Sequence, residues 1–225
     1  MVHSTWMSAL NDLAGGLFLL AAVGLVVVRQ VQACLAVFVL QSVLLGASAL
    51  ILATALGTAD LLAVGVITIG VKAIVLPWLL RRTVSGEIYT RRELSQLINV
   101  PASLLIALGL TVAAYLIAVP LLPNQTEFAR VNLPIGIAGL LLGAFTLVTR
   151  REAVPQLIGL LAMENGAFLA GVSIAPDLPM IAELAAAFDV LVIVLVMGIL
   201  TRAIHEHVGT TDIVDLVERG DGGRA

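Results

Sequence analysis

Long apolar stretches, each broken by a few turn-forming or charged residues, recur along most of the chain. A helix needs about 20 such residues to cross a bilayer. On that criterion the pattern predicts seven spans: Leu13 to Val28, Ala33 to Leu56, Leu61 to Leu80, Val100 to Leu122, Leu133 to Val148, Val154 to Ile174 and Met180 to Leu200. Arg29-Gln30, Gly57 to Asp60, Arg150-Arg151-Glu152 and Ala175-Pro176-Asp177 supply tight turns between them. The stretch from Arg81 to Asn99 is longer, and Leu94, Leu97 and Ile98 at helical spacing predict a short interfacial helix there. No Lys or Arg precedes the first span, so it is expected to be a retained helix rather than a secretory leader. After the last span the chain turns polar, and Ile213, Val214, Leu216 and Val217 predict a short amphipathic piece in the tail, either docked on a partner or solvated.

Composition agrees with this pattern. Of 225 residues, 60% are hydrophobic and 12% charged, and the mean hydropathy is +1.09, well outside the range of soluble domains. Scattered Gly and abundant Ala and Leu fit closely packed membrane helices better than the alternating strands of an outer-membrane barrel. The fold class expected is therefore an all-α integral membrane protein. Net charge is only −3, and the arginines lie beside apolar segments rather than in one basic stripe, which speaks against nucleic acid as a partner. The single Cys34 sits in an apolar run, ruling out an internal disulfide or a multi-cysteine metal site on this sequence.

The basic residues give a second test of the span count. With the N-terminus outside and the C-terminus inside, Arg29, Arg81, Arg82, Arg91, Arg92, Arg150, Arg151, Arg202, Arg219 and Arg224 fall on the inner side, leaving Arg130 outside and Lys72 within the membrane. The organisation expected is a three-helix unit with an inner basic loop over 1–98, a connecting helix and outer loop over 99–130, a second three-helix unit over 131–202 and a polar tail over 203–225. Sliding the chain by 120 residues places Gly46-Ala47 on Gly166-Ala167 and Arg82 on Arg202, which suggests that the two units are parallel repeats. Compositional coincidence between Ala- and Leu-rich helices is the competing explanation.

Against this background Lys72, Glu164 and Asp189 stand out, because each lies near the middle of a span. A charge at mid-membrane is costly unless it is paired, hydrated or neutralised, so such residues point to proton or ion handling. Low dielectric favours a neutral carboxyl or amine, and an opposite charge nearby favours the ionised form, so a change in one neighbour can load or unload a proton on the other. The alternative is a static interhelical salt bridge that fixes packing. Glu183, one turn inside the outer end of its span, is a candidate for an outer mouth or a solvated helix-start acid. Gln41 and Ser42 in span two, and Asn165 beside Glu164, are expected to hydrogen-bond between helices, with a polar path as the other possibility. Pro77 is placed to kink span three near Lys72, whereas Pro101, Pro134 and Pro155 fall near span ends. His3, His205 and His207 lie outside the spans and lack the spacing of a metal site. The sequence shows no hydrolytic triad, phosphate loop, dinucleotide fingerprint or haem ligand pair, so neither a cofactor nor a catalytic site is expected on this chain.

The run Leu161-Ala-Met-Glu-Asn-Gly166, then Asp189, then Gly209-Thr210-Thr211-Asp212, resembles the hydrogenase-4 component E family. Asn11-Asp12-Leu13-Ala14-Gly15-Gly16 and Ile69-Gly70-Val71-Lys72-Ala73-Ile74-Val75-Leu76-Pro77 extend the likeness over most of the chain. Spans five to seven also resemble the NuoK subunit of complex I and its relative in multi-subunit cation/proton antiporters. Glu164 matches the membrane glutamate of that subunit's second helix. Asp189 lies one residue from the position of the next glutamate, and one residue swings a helical side chain by about 100°.

The resemblance implies a membrane subunit of a formate hydrogenlyase-type group 4 nickel–iron hydrogenase complex, contributing to a proton path. It implies partners among antiporter-like and hydrogenase-proximal membrane subunits and soluble hydrogenase subunits, with the nickel–iron and iron–sulfur centres held by those partners. It also implies the inner membrane of a prokaryotic cell. The alternatives are a purely structural subunit of the membrane arm, a subunit of a cation/proton antiporter, or, with less support, a stand-alone transporter.

Overall fold

A computed structural model of the chain describes residues 2–83, 98–123, 125–175 and 198. Among them there are helices and no strands. The helices are α1 (Val2–Val27), α2 (Val31–Leu56), α3 (Ala59–Thr68), a π-helical segment (Ile69–Val75) that leads into α4 (Leu76–Thr83), α5 (Val100–Ala118) followed by one 3₁₀ turn (Val119–Leu121), α6 (Glu127–Thr149) and α7 (Ala153–Ile174). Among the described residues, six helical stretches are long and apolar enough to cross a membrane: Trp6–Val27, Val31–Leu56, Ala59–Trp78, Val100–Leu121, Glu127–Thr149 and Val154–Ile174. The protein is thus a multi-pass, helical membrane protein. The expected seventh span apart from residue 198, residues 84–97 of the expected interfacial stretch, and the tail lie outside the described residues. The described helices belong to a compact unit, Met1–Phe188; in the second unit, Asp189–Ala225, only residue 198 is described, and it is helical.

Two helix starts differ from the hydropathy pattern. Helix α1 extends upstream of Leu13 through the polar Asn11 and Asp12, and α6 begins at Glu127 rather than Leu133. The signal for α6 is local chemistry: the Thr126 hydroxyl accepts the Ala129 N–H at 3.3 Å, and Glu127 places an acid in the first turn. Pro134 therefore lies inside α6 instead of near its start. Asn99 caps α5 in the same manner, accepting the Ala102 N–H at 3.1 Å, with Pro101 in the first turn. Gly57 ends α2 in the left-handed conformation, φ 70°, and its N–H bonds Ala53 O at 2.8 Å.

Helices α1, α2, α6 and α7 share the interior, while α3 and the π segment pack on α2, and α5 packs on α6 and α1. The closest packing joins α6 to α7. Gly136, Gly139 and Gly143 recur along one face of α6, and a Cβ at any of them would collide with Ala170, with Phe18, or with Met163. On the opposing helix, a Cβ at Gly159 would meet Leu147 backbone at 2.6 Å, and one at Gly166 would strike Gly139 and Leu140 backbone. Without a hydrophobic drive between helices in lipid, such backbone contact supplies the dispersion that holds a pair together. Gly46 and Gly65 bring α2 and α3 together in the same way, since a Cβ on each would approach the other's carbonyl oxygen at 3.2 and 3.3 Å.

Candidate functional site: a buried lysine–glutamate pair

Lys72 and Glu164 meet in the interior. Lys72 Nζ lies 2.9 Å from Glu164 Oε1, and the two side chains are 4% and 8% exposed. Glu164 stands at the middle of α7, and Lys72 rides on the π segment. There the ladder widens, and the Leu76 N–H bonds Val71 O, five residues back. Pro77 follows at once and has no N–H to return to Ala73, so an α-helical register would be broken at this point in any case. Single π turns inside helices occur frequently at functional sites.

The ammonium also donates to Asn165 Oδ1 at 3.0 Å, and Asn165 Nδ2 donates to Ser42 Oγ at 3.0 Å. An ammonium has no acceptor to offer, so it fixes the Asn165 amide with its oxygen toward the charge and its nitrogen toward Ser42. The result is a polar chain across three elements: Glu164 and Asn165 on α7, Lys72 on the π segment and Ser42 on α2. Opposite charges in contact offset part of the cost of leaving water. Chemically, the pair can hold one proton on either partner, as ammonium and carboxylate or as amine and carboxylic acid.

Gln41, next to Ser42 on α2, is wholly buried, and neither atom of its amide has a hydrogen-bond partner among the described residues. The expected interhelical bond is therefore present at Ser42 and missing at Gln41. Asp189 and Glu183 lie outside the described residues. Among the described residues no cluster of His, Cys, Asp and Glu could hold a metal ion.

Two further polar constructions were not singled out by the sequence reading. Asn11 and Asn132 face each other from α1 and α6 with reciprocal amide bonds of 3.1 and 2.9 Å; Ser48 of α2 donates to Asn11 Oδ1 at 2.7 Å and accepts from Asn132 Nδ2 at 3.1 Å. Lone amides in apolar helices were the available signal. Phe18 of α1, Leu45 of α2 and Leu169 of α7 form one hydrophobic cluster, with Ile135 of α6 packed against it. At the other end Arg150, 2% exposed, sends Nη2 to the carbonyls of Leu25, Val26 and Val28 at 2.8, 3.3 and 2.6 Å. These belong to the end of α1, where carbonyls lack helical partners and the dipole favours a cation. Burial pushes the Arg150 guanidinium below its ordinary range; Cys34 and Glu152 oppose that shift and Arg29 adds to it.

No family model and no solved structure matches the chain. Over 214 residues, however, it is 35% identical to the uncharacterized protein Rv0085 of Mycobacterium tuberculosis, a match covering 95% of this chain and 97% of the relative. The chain belongs to the Rv0085 family. At a greater distance the chain is also similar to Hydrogenase-4 component E of Escherichia coli K12, 32% identical over 114 residues. The corresponding protein of Shigella flexneri gives the same figures. That similarity covers 51% of this chain and spans about half of the hydrogenase component, 52% of its length.

Proposed function

We propose that this protein is a membrane subunit of a hydrogenase-type respiratory complex and that its Lys72–Glu164 pair carries protons within the membrane arm. The observation that carries this reading is the ion pair itself, buried at mid-span and clamped by Asn165. A fixed structural contact could be made more cheaply from apolar side chains, whereas a pair of this kind offers a proton two alternative seats. The distant likeness to Hydrogenase-4 component E supports the assembly we propose, a group 4, formate hydrogenlyase-like complex with antiporter-like and hydrogenase-proximal membrane partners and soluble hydrogenase subunits. In it the nickel–iron and iron–sulfur centres belong to other chains. On this reading spans five to seven are the NuoK-like unit, with the N-terminus outside and the C-terminus inside; Asp189 is the second carboxylate candidate for the path and Glu183 the candidate for its outer mouth.

The Glu164→Gln variant tests the reading. In inverted membrane vesicles carrying the whole complex, it should abolish proton movement while the subunits still co-purify. Undiminished proton movement would remove Glu164 from the path.

A second reading, a structural subunit that conducts nothing, is favoured by one observation: Lys72 is held by both Glu164 and Asn165, and Asn165 by Ser42, a network that would also fix the positions of three elements. It expects Glu164→Gln to prevent co-purification of the partners.

A further inference from the structure

Gln41 lies in the middle of α2 with both ends of its amide buried and unanswered among the described residues. Protein interiors seldom leave such groups bare, because the hydrogen bonds given up to water are not regained; ordered water is the usual remedy. The position of the amide is set by the helix. Cys34, Phe38, Gln41, Leu45, Ser48 and Leu52 recur at alternating steps of four and three residues, and all are buried, so they form one face. Two members fix where that face looks: Leu45 packs with Phe18 and Leu169, and Ser48 bonds Asn11 and Asn132. Gln41 thus faces the common interior of α1, α6 and α7. Its neighbour Ser42 reaches the chain of Asn165, Lys72 and Glu164.

The chemistry of the amide selects its occupant. Nε2 donates and Oε1 accepts, so a cation would answer only the oxygen and an anion only the nitrogen. Water answers both. The Ser42 hydroxyl accepts from Asn165 through its oxygen and keeps its hydrogen to donate, so a water reaching both residues would join the amide to that chain.

We propose that Gln41 holds an internal water beside the lysine–glutamate pair, and that the pair exchanges its proton through this water. The step conserves charge: the water oxygen takes a proton from the pair as another of its protons passes on, leaving the pair one unit more negative until it is reloaded. The exchange role rests on the proposed proton function; the water site does not.

The test uses the intact complex in native membranes. Radiolytic hydroxyl-radical labelling in ¹⁸O-water oxidises side chains that touch bound water, wherever they are buried. Labelling of Phe38 or Leu45 is expected in the wild type and in Gln41→Asn, which keeps an amide, and should vanish in Gln41→Leu. Absence of label in the wild type, or label that survives in Gln41→Leu, overturns the water site. In vesicles, Gln41→Leu should slow proton movement about tenfold or more, with co-purification unchanged. If Glu164→Gln stops proton movement and Gln41→Leu leaves it intact, the exchange role is overturned. If Glu164→Gln leaves it intact, the proton function itself falls, and the exchange role with it, while the labelling still decides whether the water is there.

Discussion

Removing one partner of the Lys72–Glu164 pair should hurt more than removing both. Lys72→Met leaves a carboxylate without its cation, and Glu164→Met leaves an ammonium without its anion; each should cost about 3–5 kcal/mol. The double variant replaces the pair with apolar side chains of similar length and should recover most of that loss, so its cost should fall well below the sum of the two single losses. Thermal unfolding of the purified protein in one detergent would check this, and strict additivity of the two single losses would refute it. These two residues are legible in the sequence because a charge amid apolar neighbours is conspicuous by its cost. Asn11, Ser48 and Asn132 escape notice for the opposite reason. They are neutral and cheap to place in a helix, and their meaning emerges only when three helices bring them within 3.1 Å of one another.

At the scale of the helix, glycines with identical local sequence effects should respond in opposite ways to a methyl group. Gly166→Ala drives a Cβ into the backbone of α6 and should cost about 1–3 kcal/mol, whereas Gly16→Ala, where a Cβ meets nothing within 4 Å, should be neutral or gain about 0.5–1 kcal/mol from reduced backbone freedom. Paired melting curves of the two variants measure the contrast; equal effects would mean that α6 and α7 are not in backbone contact. Sequence alone gives the abundance of glycine but not this division, because it does not say which face of α6 meets which face of α7. Helix limits show a similar gap. Hydropathy locates where an apolar run begins, at Leu133, while the helix begins where Thr126 can cap it, and those are separate physical events. The π segment is partly legible, since Pro77 announces a broken ladder close to Lys72, but not how the ladder is repaired.

Across the whole molecule, Arg150 ties the end of α1 to the turn between α6 and α7. Positive-inside counting treats it as a marker of the inner face, yet its guanidinium is buried against three carbonyls. Arg150→Met should destabilise the protein by about 2 kcal/mol and speed hydrogen exchange in the last turn of α1. Arg150→Lys should recover part of this, because an ammonium can donate to the same carbonyls from a shorter side chain. Unchanged exchange in that turn would show that the carbonyls do not need the arginine. The reciprocal amides of Asn11 and Asn132 set a different limit. Each completes the other as two bases do in a pair, so they match only in one alignment. An axial slip of α1 along α6 by a single residue, about 1.5 Å, spoils both bonds at once. A piston stroke between α1 and α6 would have to break both bonds together, whereas a tilt or rotation of the other helices would leave them intact.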